Sequence, residues 1–144
     1  MIFDYATSNI FGKSIGDKHN MNINTYFKSV IEQDTASVVI CDLNHMIIYM
    51  NPAADKNYAK HGGNKLVGTS LLNCHNPHSC EIIINVVSWF AKDKANNIVH
   101  TFYNEKQNKD VYMVALRDED GTLIGYYEKH EFRTRDMSPF YVMD

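Results

Sequence analysis

Apolar residues recur along the chain with two different periods, and the change of period marks the elements. Ile23, Phe27, Val30 and Ile31 fall at i, i+4, i+7 and i+8, which lines one side of a helix beginning near Asn22. Upstream, Met1 to about Met21 holds Ile2, Phe3, Ile10, Phe11 and Ile15 without a sustained period and reads as an N-terminal extension. SVVIC and MIIYM are short runs rich in β-branched residues. Asp42, Leu43, Asn44 and His45 between them suit a tight reversal, so the two runs predict a hairpin.

Asn51-Pro52 then offers a side-chain acceptor for a helix cap and a residue with a fixed φ for the first helical position. A short helix to about Lys60 follows, stopped by Gly62-Gly63. Asn76-Pro77 repeats the device ahead of Ile83, Val86, Val87 and Phe90, which recur at i, i+3, i+4 and i+7 and predict the longest helix. Its apolar face, widened by Ile82 and Trp89, must lie on a sheet. The last third alternates through IVHTFY, DVYMVAL and TLIGYYEKHEF, three strands, with Asp120-Gly121 predicting a two-residue turn between the last two. The economical architecture is α+β: a five-stranded antiparallel sheet with short helices and one long helix on one face, preceded by an N-terminal helix. The chain divides into an extension over 1–21, one domain over 22–133 and a C-terminal tail over 134–144.

Composition narrows the function. The 144 residues, 44% hydrophobic and 22% charged, fit a single globular domain rather than a disordered chain. A net charge of −3 lacks the basic excess that attracts nucleic acid or an anionic membrane surface, so neither is an expected partner. No apolar run approaches the roughly 18 residues that span a bilayer. The N-terminus lacks a basic, then apolar leader, and a cytoplasmic location is expected. Cys41, Cys74 and Cys80 are an odd set, better read as reduced thiols than as a disulfide framework.

The order of elements and several of their residues resemble the PAS domain. SVVICDLNHMIIYMNPAA is similar to the family's opening hairpin and following helix, GNKLVGTSLL to the segment before its long helix, and RDEDGTLIGYYE to its closing hairpin. The match runs from about Asn22 to Arg133. His45 stands where many such hairpins carry Gly, so Asn44 or His45 is expected at positive φ. NCHNPHS and the DVYMVALRDEDGTLIG ending resemble a bacterial subgroup with a Cys-His-x-Pro-x-Ser signature, here Cys74, His75, Pro77 and Ser79. The resemblance implies a sensory domain of the kind found beside hemerythrin-like and other signalling modules.

Cys74, His75, His78 and Cys80 lie within seven residues at the mouth of the cavity this fold implies. Neighbouring Cys74 and His75 cannot easily turn to one tetrahedral ion, and the usual zinc spacings are missing. A haem iron needs only one imidazole in an apolar pocket, and His75 or His78 would supply it; the plainer reading has both shaping the helix start. Cys74, near a helix N-terminus, suits redox chemistry unless buried. Flavin is disfavoured, because the Arg-Phe-Leu-Gln that follows the reactive Cys of light-sensing relatives is replaced by His75-Asn76-Pro77-His78. Tyr49, Tyr58, Trp89, Phe102, Tyr112, Met113, Tyr126 and Tyr127 provide aromatic or soft surface, about half of which strand alternation turns inward. The candidate pocket set is Cys74, His75, His78, Tyr58, Val86, Trp89, Phe90, Phe102, Met113 and Tyr127. No phosphate loop, nucleophile elbow or carboxylate pair is present, so an enzyme is not expected.

The expectation is a cytoplasmic sensory or regulatory domain that takes a small ligand in an internal cavity. It would signal as a homodimer through its N-terminal helix, or to a separate signalling protein. The alternatives are a ligand-free interaction module and a haem-based redox or gas sensor using His75 or His78.

Overall fold

The computed structural model describes residues 22–144; the extension over 1–21 lies outside them. Helix α1, Ile23–Gln33, crosses the boundary between two compact units, which falls after Val30. Everything below concerns the unit from Ile31 onward unless α1 is named.

Strands β1, Val39–Asp42, and β2, Ile47–Met50, form the opening hairpin. Asp42 builds its turn: the carboxylate accepts from the backbone N–H of Asn44 at 2.8 Å and of Met46 at 3.0 Å. His45 takes the left-handed position with φ of 63°, where this family of turns favours Gly. Helix α2, Pro52–Asn57, is shorter than the expected run to Lys60. The chain tightens instead into a 3₁₀ turn over Ala59–His61, and Gly62, with φ of 114°, ends that turn. Two further 3₁₀ turns, Gly63–Leu66 and Leu71–Cys74, lead to helix α3, Pro77–Lys92. Asn76 caps α3 as the sequence predicts, its Oδ1 accepting from Ser79 N at 2.8 Å.

Strands β3, Ile98–Asn104, β4, Lys109–Arg117, and β5, Leu123–Phe132, complete one antiparallel sheet in the order β2-β1-β5-β4-β3. The β4–β5 turn is longer than the two-residue loop predicted from Asp120-Gly121. Asp118 and Thr122 close it by a backbone bond of 3.0 Å, with Gly121 at φ of 79° and a bulge at Arg117. That is the three-residue loop, with a left-handed residue ahead of the bulge. Gly125 in β5 has a stricter reason to be glycine, since a Cβ there would stand 2.3 Å from the Cys41 carbonyl oxygen.

The core lies between one sheet face and the helices. Val39, Cys41, Ile47, Met50, Ala54, Ile83, Phe90, Met113 and Tyr126 form it, with Val86 and Val87 half-buried against it. Arg117 fastens the end of α3, donating to the carbonyls of Phe90, Asp93 and Asn96 at 2.8–3.1 Å and to Asn97 Oδ1 at 2.7 Å. Those carbonyls have no partner inside the helix, and a cation there also complements the helix dipole.

Candidate functional site

A cavity of about 360 Å³ opens between the inner sheet face and the segment from α2 to α3. Its walls are mainly apolar: Val39, Ile47 and Met50 from the first hairpin, Leu66 and Leu71 from the 3₁₀ turns, Ile83 from α3 and Met113 from β4. The polar lining groups are Cys41, Tyr58, His61, Asn73, Cys74, His75, Tyr126 and Glu128. His61, Asn73 and Cys74 are exposed and mark the mouth.

Strand alternation selects the floor. On β5 the residues Tyr126, Glu128 and His130 share the inner face, opposite Cys41 and Val39 on β1 and Ala115, Met113 and Val111 on β4. The Tyr126 hydroxyl lies 2.9 Å from His45 Nδ1 and also hydrogen-bonds the Cys41 thiol. That contact lowers Cys41 and raises Tyr126, so the phenol donates to the sulfur and its oxygen is left to accept from His45 Nδ1–H. Burial holds the proton on each: the Cys41 thiol is pushed up to about 11, and Tyr126 is raised further. Tyr58 is pushed up to about 12, first by burial and then by the charge of Glu128. These groups therefore face the cavity as neutral donors and acceptors.

Glu128 accepts from His130 Nε2 at 2.7 Å. His130 is buried, and its other nitrogen, Nδ1, has no hydrogen-bond partner among the described residues. Beyond it lies a second recess of about 380 Å³ whose lining includes Ser37, Lys56, Lys109, His130 and Phe132. Lys109 is only 5% exposed; its ammonium stands 5.6 Å from the centre of the Phe132 ring, and burial lowers its pKa.

Of the residues singled out from the sequence, Tyr58, Cys74, His75 and Met113 line the cavity. His75 Nδ1 is 2.9 Å from the Leu71 carbonyl, which only accepts, so Nδ1 carries the proton and Nε2 keeps its lone pair in the neutral ring. His78 is exposed in the first turn of α3 and is not part of the lining. Phe90 and Val86 pack in or against the core beside the cavity, while Trp89 is largely exposed on α3. Phe102 is exposed on β3, and Tyr127 lies on the outer face because Tyr126 takes the inner one. Among the described residues no three His, Cys, Asp or Glu side chains converge on a metal position. Cys80 instead donates to the Leu72 carbonyl at 3.2 Å.

Sequence reasoning missed Glu128, His130, Cys41, His61 and Asn73. The signal for the first two was present in GYYEKHEF: once Tyr126 points inward, a period of two places a carboxylate and an imidazole on the same buried face.

No protein-family model and no curated protein matches the chain. Solved structures do match. A C-terminal domain from Streptococcus mutans aligns with a TM-score of 0.61 at 15% identity, over 83% of this chain and 90% of its own. The PAS domain of a protein from Colwellia psychrerythraea gives 0.58 at 15% identity, over 77% of this chain and 97% of its own. The PAS domain of Bordetella pertussis BvgS gives 0.53 at 13% identity, over 79% and 89%. The fold is PAS-like. In this PAS-like domain the cavity lies between the sheet and the segment from α2 to α3, and one neighbour of that fold is a sensory box sensor histidine kinase from Vibrio cholerae. No helix among the described residues is long and apolar enough to cross a membrane.

Proposed function

We propose that the chain is a non-catalytic sensory or regulatory domain that binds a small molecule in the cavity beneath α3. One observation carries this reading: a space of about 360 Å³, mainly apolar with a few convergent polar groups, in a domain of this size. Small-ligand pockets of roughly 300–1,000 Å³ have that make-up. A ligand there touches Val39 and Cys41 of β1, Met113 of β4 and Ile83 of α3 together, so occupancy biases how the sheet and helix pack. The output is read by a second copy of the chain through α1 or by a separate signalling protein, in a cytoplasmic setting without nucleic acid or membrane.

Haem finds one suitable atom in this site. His75 Nε2 has the free lone pair an axial ligand needs, with Nδ1 fixed by a backbone carbonyl. The surroundings do not fit the macrocycle: the space is at the small end of ligand pockets, and a porphyrin would seal Glu128 against an apolar plate.

Native mass spectrometry of the full chain, with its absorption spectrum, tests the proposal. Expected is a protein-plus-small-molecule species without a Soret or flavin band, absent from a Met113→Trp variant whose indole fills the space. Failing a retained molecule, xenon should shift the methyl signals of Met50 and Met113. A ligand-free mass together with unmoved methyls would reject a binding cavity and leave the interaction module.

A further inference from the structure

An ionised carboxylate in the middle of an apolar sheet face lowers stability unless its lone pairs are met. Glu128 occupies that position. It is on the central strand, flanked in register by the buried side chains of Val39 and Met113. A carboxylate offers about four acceptor sites. Among the described residues the one hydrogen bond to Glu128 comes from His130. The side chain is 29% exposed, and it lines the cavity.

The nearby cations Lys56 and Lys109 line the second recess and not the cavity, although the Lys109 ammonium feels the charge of Glu128. Among the described residues no lysine or arginine lines the cavity. Its inner histidine, His75, presents an acceptor when the ring is neutral, because Nδ1 is committed to Leu71. Among the described lining residues Glu128 is thus the one carboxylate, set beside the neutral Tyr58, Tyr126 and Cys41 in an otherwise apolar space.

We infer that the ligand is a small, mostly apolar molecule bearing an amine-type N–H donor, which it places on the free oxygen of Glu128. Such a contact is charge-assisted and shielded from water, which makes it stronger than a neutral hydrogen bond. The same setting rejects a carboxylate of equal size, since two like charges would share a low-dielectric space. The inference rests on the proposed function, that this cavity binds a small molecule at all.

Three probes built on one ring separate the two claims: toluene, benzylamine and benzoate, titrated into the full chain near neutral pH with the Met50 and Met113 methyl signals as the readout of location. Benzylamine should bind at least tenfold more tightly than toluene and benzoate, and Glu128→Gln should abolish that margin while leaving toluene binding in place. Toluene binding with benzoate equal to or tighter than benzylamine overturns the donor class and leaves the cavity reading standing. A benzylamine preference that survives in Glu128→Gln also overturns it. If no probe moves either methyl, both claims fall. The ranking in the unmodified chain decides the matter even if the variant does not fold.

Discussion

Asn51 is the residue on which most backbone depends. Its side chain is fully buried; Oδ1 accepts from Val38 N and Ala54 N, both at 2.9 Å, and Nδ2 donates to the Ala36 and Ile31 carbonyls at 2.9 and 3.0 Å. The Asn-Pro pair announces the helix cap, which is one of these bonds, but sequence spacing carries no hint of the other three. They exist because the turn before β1 folds back over the cap, a long-range event. Asn51→Ala leaves buried donors and acceptors bare and should cost roughly 3 kcal/mol in urea unfolding. Asn51→Asp keeps the acceptor and loses the donor, so it should also destabilise. An Asp variant as stable as the parent would show that the bonds to Ile31 and Ala36 contribute nothing.

At the scale of elements, what was legible is what has a period. The stripe of α3, the caps at Asn51 and Asn76, and the alternation of β4 and β5 all follow from local rules. The 3₁₀ turns over 59–74 have no period, and they supply Leu66, Leu71, Asn73, Cys74 and His75 to the cavity. Of these, Cys74 and His75 are legible in the sequence and Leu66, Leu71 and Asn73 are not, while residue type alone, which singles out Val86, Trp89 and Phe102, does not say where the cavity ends. Helix α1 is regular but buries none of its residues; Phe27 is 59% and Val30 71% exposed. An apolar stripe that the described residues leave uncovered suits the second copy proposed above. Light scattering should give a dimer for the parent chain and a monomer for the Ile23→Asp, Phe27→Asp double variant. An unchanged mass would move the partner-reading surface elsewhere.

The whole molecule carries a predicted response to alkali. Cys41 keeps its proton to about 11 when folded, against 9.0 in the free thiol, and Tyr58 to about 12 against 10.0. Between those limits the unfolded chain binds fewer protons, so stability is complete below about pH 9 and falls as pH rises through 11 and 12. Cys41 accounts for roughly 2–3 kcal/mol of that loss. The urea midpoint followed against pH should stay level to about 9 and then decline, and Cys41→Ala should move the onset up towards 10, where Tyr58 begins. An onset unmoved in the variant would mean that the native thiol gives up its proton as readily as a free one.

The middle of the sheet is its last strand. β1 and β4 do not pair with each other; each pairs with β5, joining Val39 to Glu128 and Met113 to Glu128. During synthesis the β1–β2 hairpin emerges long before β5, the strand that joins it to β4, and contacts so distant in sequence form slowly. A nascent chain cut before Leu123 has no floor for a ligand to rest on. The floor of the cavity is therefore complete only once β5 stands between β1 and β4.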